Sequence, residues 1–222
     1  MNKNLMFKKY RNKAVLLSAI TTFFLLGSLL IKSSALAHHP NGSQIPSTFA
    51  QGFISGLGHP VIGIDHLFFL IAIGLLAALA DKLGMIIPLA FIVTTAIGTG
   101  IHLQSFDLPV VEVIIAASVL LMGVFLARNN QTSLFLLTIA SAIAGIFHGY
   151  AYGESIVGAE VTTLGGYLLG FCLIQLGISV IAFYIAKSLI KRPIKSPRLS
   201  LRFAGFVLCG IGFTFLSNAI LG

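Results

Sequence analysis

Six long apolar runs fix what this chain can become. They cover roughly residues 53–80, 84–103, 109–127, 133–151, 160–186 and 203–221. Each is close to the ~20 residues a helix needs to cross ~30 Å of hydrocarbon. Inside a bilayer every backbone N–H and C=O has to find a partner within the protein, and a helix supplies those partners from its own segment. Charged residues make up only 9% of the chain and hydrophobic residues 57%, which excludes an ordinary soluble domain. The expected fold is an all-α membrane protein, a bundle of six transmembrane helices in one domain spanning residues 38–222.

The segment before that domain has a different character. Residues 1–13 are basic, Ala14 to Ile31 is apolar, and Ala35-Leu36-Ala37 has the small-x-small form of a cleavage site. This pattern predicts a cleaved signal peptide over residues 1–37. An uncleaved first span is the alternative, because the apolar stretch is long for a signal. Cleavage after Ala37 makes His38-His39-Pro40 the new N-terminus. A free amine beside two imidazoles is a candidate metal-capture arm, and a plain polar tail is the other reading.

Charge placement sets the topology. Lys and Arg occur in alternate connections: Lys82, then Arg128, then the cluster Lys187, Lys191, Arg192, Lys195, Arg198 and Arg202. Residues 38–58, 104–108 and 152–160 carry none. The positive-inside rule therefore puts both mature ends outside the cytoplasm. The net charge of +8 says nothing about nucleic acid, because six of the fourteen basic residues precede Ala37. The basic last connection reads as a surface lying against anionic lipid. Cys172 and Cys209 sit within apolar runs and form neither a disulfide framework nor a zinc motif.

The polar residues of the runs collect at one face in that topology. The first run opens with His59-Pro60-Val61-Ile62-Gly63-Ile64-Asp65-His66, an H-x5-D-H motif. As one helix it would bring His59 and His66 to the same side but about 10 Å apart along the axis. One ion can touch both only if the helix breaks, and Pro60 and Gly63 favour a break. A pair of interfacial histidines with a helix-start Asp65 is the plainer reading. His102 closes the second run, with Asp107 and Glu112 beyond it. The fourth run ends in Phe147-His148-Gly149-Tyr150-Ala151-Tyr152-Gly153-Glu154, where two glycines let backbone approach an ion. The alternative there is a glycine packing seam with an exposed Glu. Ionisable groups at membrane depth are costly and mark function. Imidazole with carboxylate suits Ni²⁺, Co²⁺ or Zn²⁺ better than Ca²⁺ or Mg²⁺.

At these residues the chain resembles the HupE/UreJ permeases. H-x5-D-H in the first mature span, paired with an F-H-G-x-A-x-G-x-E pattern in the fourth, is that family's signature. The resemblance covers essentially the whole mature chain. It implies a multi-pass protein of the bacterial plasma (inner) membrane that takes up nickel or cobalt. The resemblance assigns metal ligation to His59, Asp65 and His66 and to His148 and Glu154. His38 and His39 match the His-containing mature N-terminus of many members loosely, and His102 joins them by position alone.

The expected activity is therefore a secondary uptake permease. Its cargo is Ni²⁺ or Co²⁺, its surroundings are lipid, and no prosthetic group, nucleic acid or nucleotide is expected. No G-x-x-x-x-G-K-[ST] loop is present. A homo-oligomer is compatible with this reading. Two other classes deserve weighing. Three histidines with Asp65 or Glu154 as base could make an intramembrane zinc hydrolase, although no H-E-x-x-H occurs. A metal accessory protein that does not transport is the third class.

Overall fold

The computed structural model describes residues 45–80, 83–128, 132–191 and 197–222. The signal segment, His38, His39, Asp81, Lys82 and residues 192–196 of the basic connection lie outside them. Among the described residues all regular structure is helical: α1 (Phe49–Ile62), α2 (Ile64–Leu79), α3 (Ile86–Leu103), α4 (Val111–Ala127), α5 (Leu134–Gly153), a 3₁₀ turn (Glu154–Ile156), α6 (Val161–Lys191) and α7 (Pro197–Leu221). Local signals start two of them. Thr48 caps α1 by accepting from the Gln51 amide at 3.2 Å, and Ser133 caps α5 by accepting from the Leu136 amide at 3.2 Å.

The first apolar run departs from a single span. It forms two helices that meet at 79°. Gly63 ends α1 and starts α2 with extended backbone, φ −71° and ψ 97°. Pro60 already lacks an amide donor in the last turn of α1, so less helical bonding opposes the break. A Cβ on Gly63 would lie 2.5 Å from the His66 ring, so the corner is also too crowded for a side chain. Four other helical stretches are long and apolar enough to cross a membrane, and the bent pair makes a fifth. The remaining run forms α4, whose 17 residues lie at the short end of the range for a span. The described chain is thus a multi-pass membrane protein.

Glycines decide how the helices pair. In lipid, close backbone approach replaces the hydrophobic drive to associate. Gly52 and Gly56 of α1 face the Thr163 and Tyr167 carbonyls of α6, while Gly166 and Gly170 of α6 face the Phe49 and Phe53 carbonyls of α1. Gly98 of α3 sits on the Ile146 carbonyl of α5, and Gly149 of α5 on that of Thr95. Gly123 of α4 meets Cys209 of α7, and Gly212 of α7 meets Leu120 of α4. Three tight pairs result: α1–α6, α3–α5 and α4–α7.

The pairs surround α2. Between Phe69 and Ala78 nearly every side chain of α2 is buried, including Phe69, Leu70, Ala72 and Ile73. A helix apolar on all sides can be enclosed by protein without stranding a polar group. By contrast Leu89, Val93, Ile143, Ile181, Phe206 and Phe213 stay exposed on the outer helices, as lipid-facing residues do.

Candidate metal centre

The corner at Gly63 brings the two motifs together. Because α1 and α2 turn there, His59 and His66 sit with ring centroids 6.1 Å apart, well inside the spacing of a straight helix. His66 opens α2 and reaches His148 of α5, Nδ1 to Nδ1 at 2.7 Å. The three rings are almost wholly buried, with exposures of 8%, 6% and 0% for His59, His66 and His148. Phe69 and Phe91 close over His148 at 4.6 and 5.3 Å between ring centroids.

Hydrogen bonding fixes the state of His148. Ser118 of α4 donates its only proton to the Ile115 carbonyl at 2.7 Å. Its oxygen can then only accept, so His148 Nε2–H donates to it at 3.0 Å. When the ring is neutral, its Nδ1 lone pair then faces His66. A hydrogen bond to a ligating ring's second nitrogen is the usual way of aiming the first. An ion held by both nitrogens at about 2.1 Å would set them about 3.0–3.4 Å apart. The pair needs to open by only a few tenths of an ångström to admit one.

His59 is held by a second polar cluster. Its Nδ1 lies 3.0 Å from Ser155 Oγ and 3.2 Å from the Tyr167 hydroxyl. Both hydroxyls also reach the Tyr152 carbonyl, at 3.0 and 2.9 Å. The Tyr152 ring packs between the histidines, 4.9 Å from His59 and 4.5 Å from His66.

The carboxylates stand outside this group. Asp65 is half-buried and accepts from the His66 amide at 2.8 Å, which anchors the first turn of α2. Glu154 is exposed on the 3₁₀ turn. Asp65 and Glu154 lie close enough to Glu112 for their charges to be felt there. His102 lies apart, edge-on to Tyr150 at 4.4 Å. Among the described residues no three His, Cys, Asp or Glu side chains converge closely enough to enclose an ion. Of the five expected ligands, His59, His66 and His148 lie together, and Asp65 and Glu154 stand outside that group.

Comparison with known proteins agrees with the motifs. A family model described as HupE / UreJ protein matches residues 26–215. The chain belongs to the HupE/UreJ family. Protein HupE of Rhizobium leguminosarum bv. viciae is 31% identical over 170 residues, which cover 76% of this chain and 83% of that protein. No solved structure matches.

The HupE/UreJ pattern departs from this chain at one residue. Counted from Phe147, F-H-G-x-A-x-G-x-E closes on position 155, where Ser155 stands, and Glu154 occupies the free position before it. Ser155 is buried against His59, and Glu154 is exposed on the 3₁₀ turn.

Sequence reasoning did not single out Ser118, Tyr152, Ser155 or Tyr167. Ser118 was detectable as the one polar side chain inside the apolar stretch from Val113 to Ala127. Tyr167 lies within the Gly166-x3-Gly170 seam, so the crossing with α1 brings it to His59. Ser155 carries no sequence signal of its own.

Proposed function

We propose that this HupE/UreJ protein is a secondary uptake permease for a divalent transition metal, nickel or cobalt. The observation that carries the reading is the 2.7 Å approach of His66 and His148 from the two motifs, 82 residues apart. In this reading Asp65, Glu112 and Glu154 draw the cation to the mouth. His59 receives it, and His66 and His148 strip part of its water. His102 lines the approach, and His38 and His39 act as the capture arm. A divalent cation gains about 4.6 kcal/mol per 100 mV of inside-negative potential, enough to drive uptake without a nucleotide. The test is accumulation: cells expressing the chain should take up ⁶³Ni²⁺ or ⁵⁷Co²⁺ at limiting concentration well above cells with empty vector. Equal accumulation of both ions in the two strains would overturn the reading.

The orientation belongs to the same proposal. The mouth must face the supply side, with both mature ends outside. A reporter enzyme active only in the periplasm should work when fused after Gly222 and stay silent after Lys191. The opposite pattern would put the histidines on the cytoplasmic face and rule out capture from outside.

A further inference from the structure

Past the histidines, α6 continues inward with a buried stripe at four-residue spacing: Tyr167, Phe171, Gln175 and Ser179, all fully buried. Successive members lie about 6 Å further along the axis. Tyr167 touches His59, and Phe171 packs on Tyr152 at 5.4 Å. Gln175 is the next group. Across from it stands Thr95 of α3, also fully buried, whose backbone rests on Gly149 beside His148.

The Gln175 amide is poorly satisfied for a group so deep. Its Nε2 has no hydrogen-bond partner among the described residues, and its Oε1 lies 3.5 Å from Thr95 Oγ1. Thr95 already donates its proton to the Ile92 carbonyl at 2.8 Å, so it has none for Gln175. A half-turn of the amide improves matters. Nε2–H then donates to Thr95 Oγ1, and the spare group becomes the carbonyl oxygen. A buried polar head left over in either orientation costs free energy that an apolar residue would avoid. In the second orientation the leftover is a neutral, hard oxygen ligand.

We infer that Gln175, supported by Thr95, is a second station for the divalent ion, taking it with part of its water shell from the His66–His148 pair. This rests on the uptake reading above. The donor chemistry suits the task. Imidazole nitrogens hold Ni²⁺ or Co²⁺ well, so the group that follows must bind weakly enough to let go. A neutral amide oxygen does so, and a carboxylate in its place would trap the ion.

Uptake of ⁶³Ni²⁺ per inserted chain, alongside Ni²⁺ binding to the purified full chain by equilibrium dialysis, tests this. Gln175→Met keeps the volume and should lower the maximal rate about tenfold at an unchanged half-saturating concentration. Its Ni²⁺ binding should equal that of the wild type, because the histidines are untouched. Thr95→Val should lower the rate in the same direction. Gln175→Glu should lower the maximal rate and the half-saturating concentration together, the mark of a trapped ion that a merely structural role would not give. Wild-type rates per inserted chain in Gln175→Met and Thr95→Val would overturn the inference while leaving the permease reading intact. Loss of Ni²⁺ binding in Gln175→Met would also overturn it, since Gln175 would then serve the histidine pair. A wild-type chain that moves neither nickel nor cobalt would overturn the permease reading, and this inference with it.

Discussion

Alanine at His66 or His148 should lower metal uptake at limiting nickel or cobalt by about 100-fold, the upper end of what losing a metal-site partner costs. Each imidazole is the other's near neighbour at 2.7 Å, and in the permease reading the ion is held by both, so either change would leave it one nitrogen. His148 is fully buried between Phe69 and Phe91, and truncating it also opens a void. His148→Gln, which keeps volume and polarity, separates the two effects: it should restore the amount of inserted protein but not the uptake. The double alanine variant should be little worse than either single one, because residues that act as a unit are not additive. Normal uptake in both single variants, with normal protein in the membrane, would remove these histidines from the path.

The second large effect is expected far from any ligand. Gly98 and Gly100 lie two residues apart on α3, yet their surroundings are opposite. A Cβ on Gly98 would run into the Ile146 carbonyl and come within 2.9 Å of the Tyr150 amide, whereas one on Gly100 meets nothing within 4 Å. Overpacking usually costs about 1–3 kcal/mol when side chains can yield. Here the obstacle is the backbone of α5, so Gly98→Ala should cost about 3 kcal/mol or more and lower the melting temperature in detergent clearly. It should also reduce uptake, because α5 carries His148. Gly100→Ala should match the wild type in both. Equal melting temperatures for the two variants would show that α3 and α5 are not held by this seam.

How far the sequence could be read depended on the range of the interaction. Run length and composition located the helical stretches, with ends off by up to six residues where α7 begins at Pro197, because lipid demands long apolar segments wherever they occur. The corner at Gly63 was legible as a tendency from Pro60 and Gly63, but both residues are also tolerated within straight spans. What settles it is the His66 ring packed against Gly63, a contact that residue types alone do not announce. Asp65 shows the same limit. Its motif suggests a ligand, and residue types alone do not announce that its carboxylate also accepts from the His66 amide at the start of α2. The meeting of His66 with His148 joins helices 82 residues apart in the chain, and no spacing rule reaches that far. His102 was grouped with the others by its end of the membrane alone, and it stands beside Tyr150.

The glycine seams have a mechanical consequence. They weld the outer helices into three blades, and α2 is the spindle they surround. The spindle carries His66. The α1–α6 blade brings His59, the α3–α5 blade His148, and the α4–α7 blade Ser118. Sliding one helix within a blade would cost its backbone contacts; the α1–α6 blade is also tied to the spindle, where Gly74 of α2 sits on the Ser179 carbonyl of α6. The distance between His66 and His148 is then a gauge of the angle between one blade and the spindle. In the permease reading, an ion held by that pair would fix the angle, and its departure would free it.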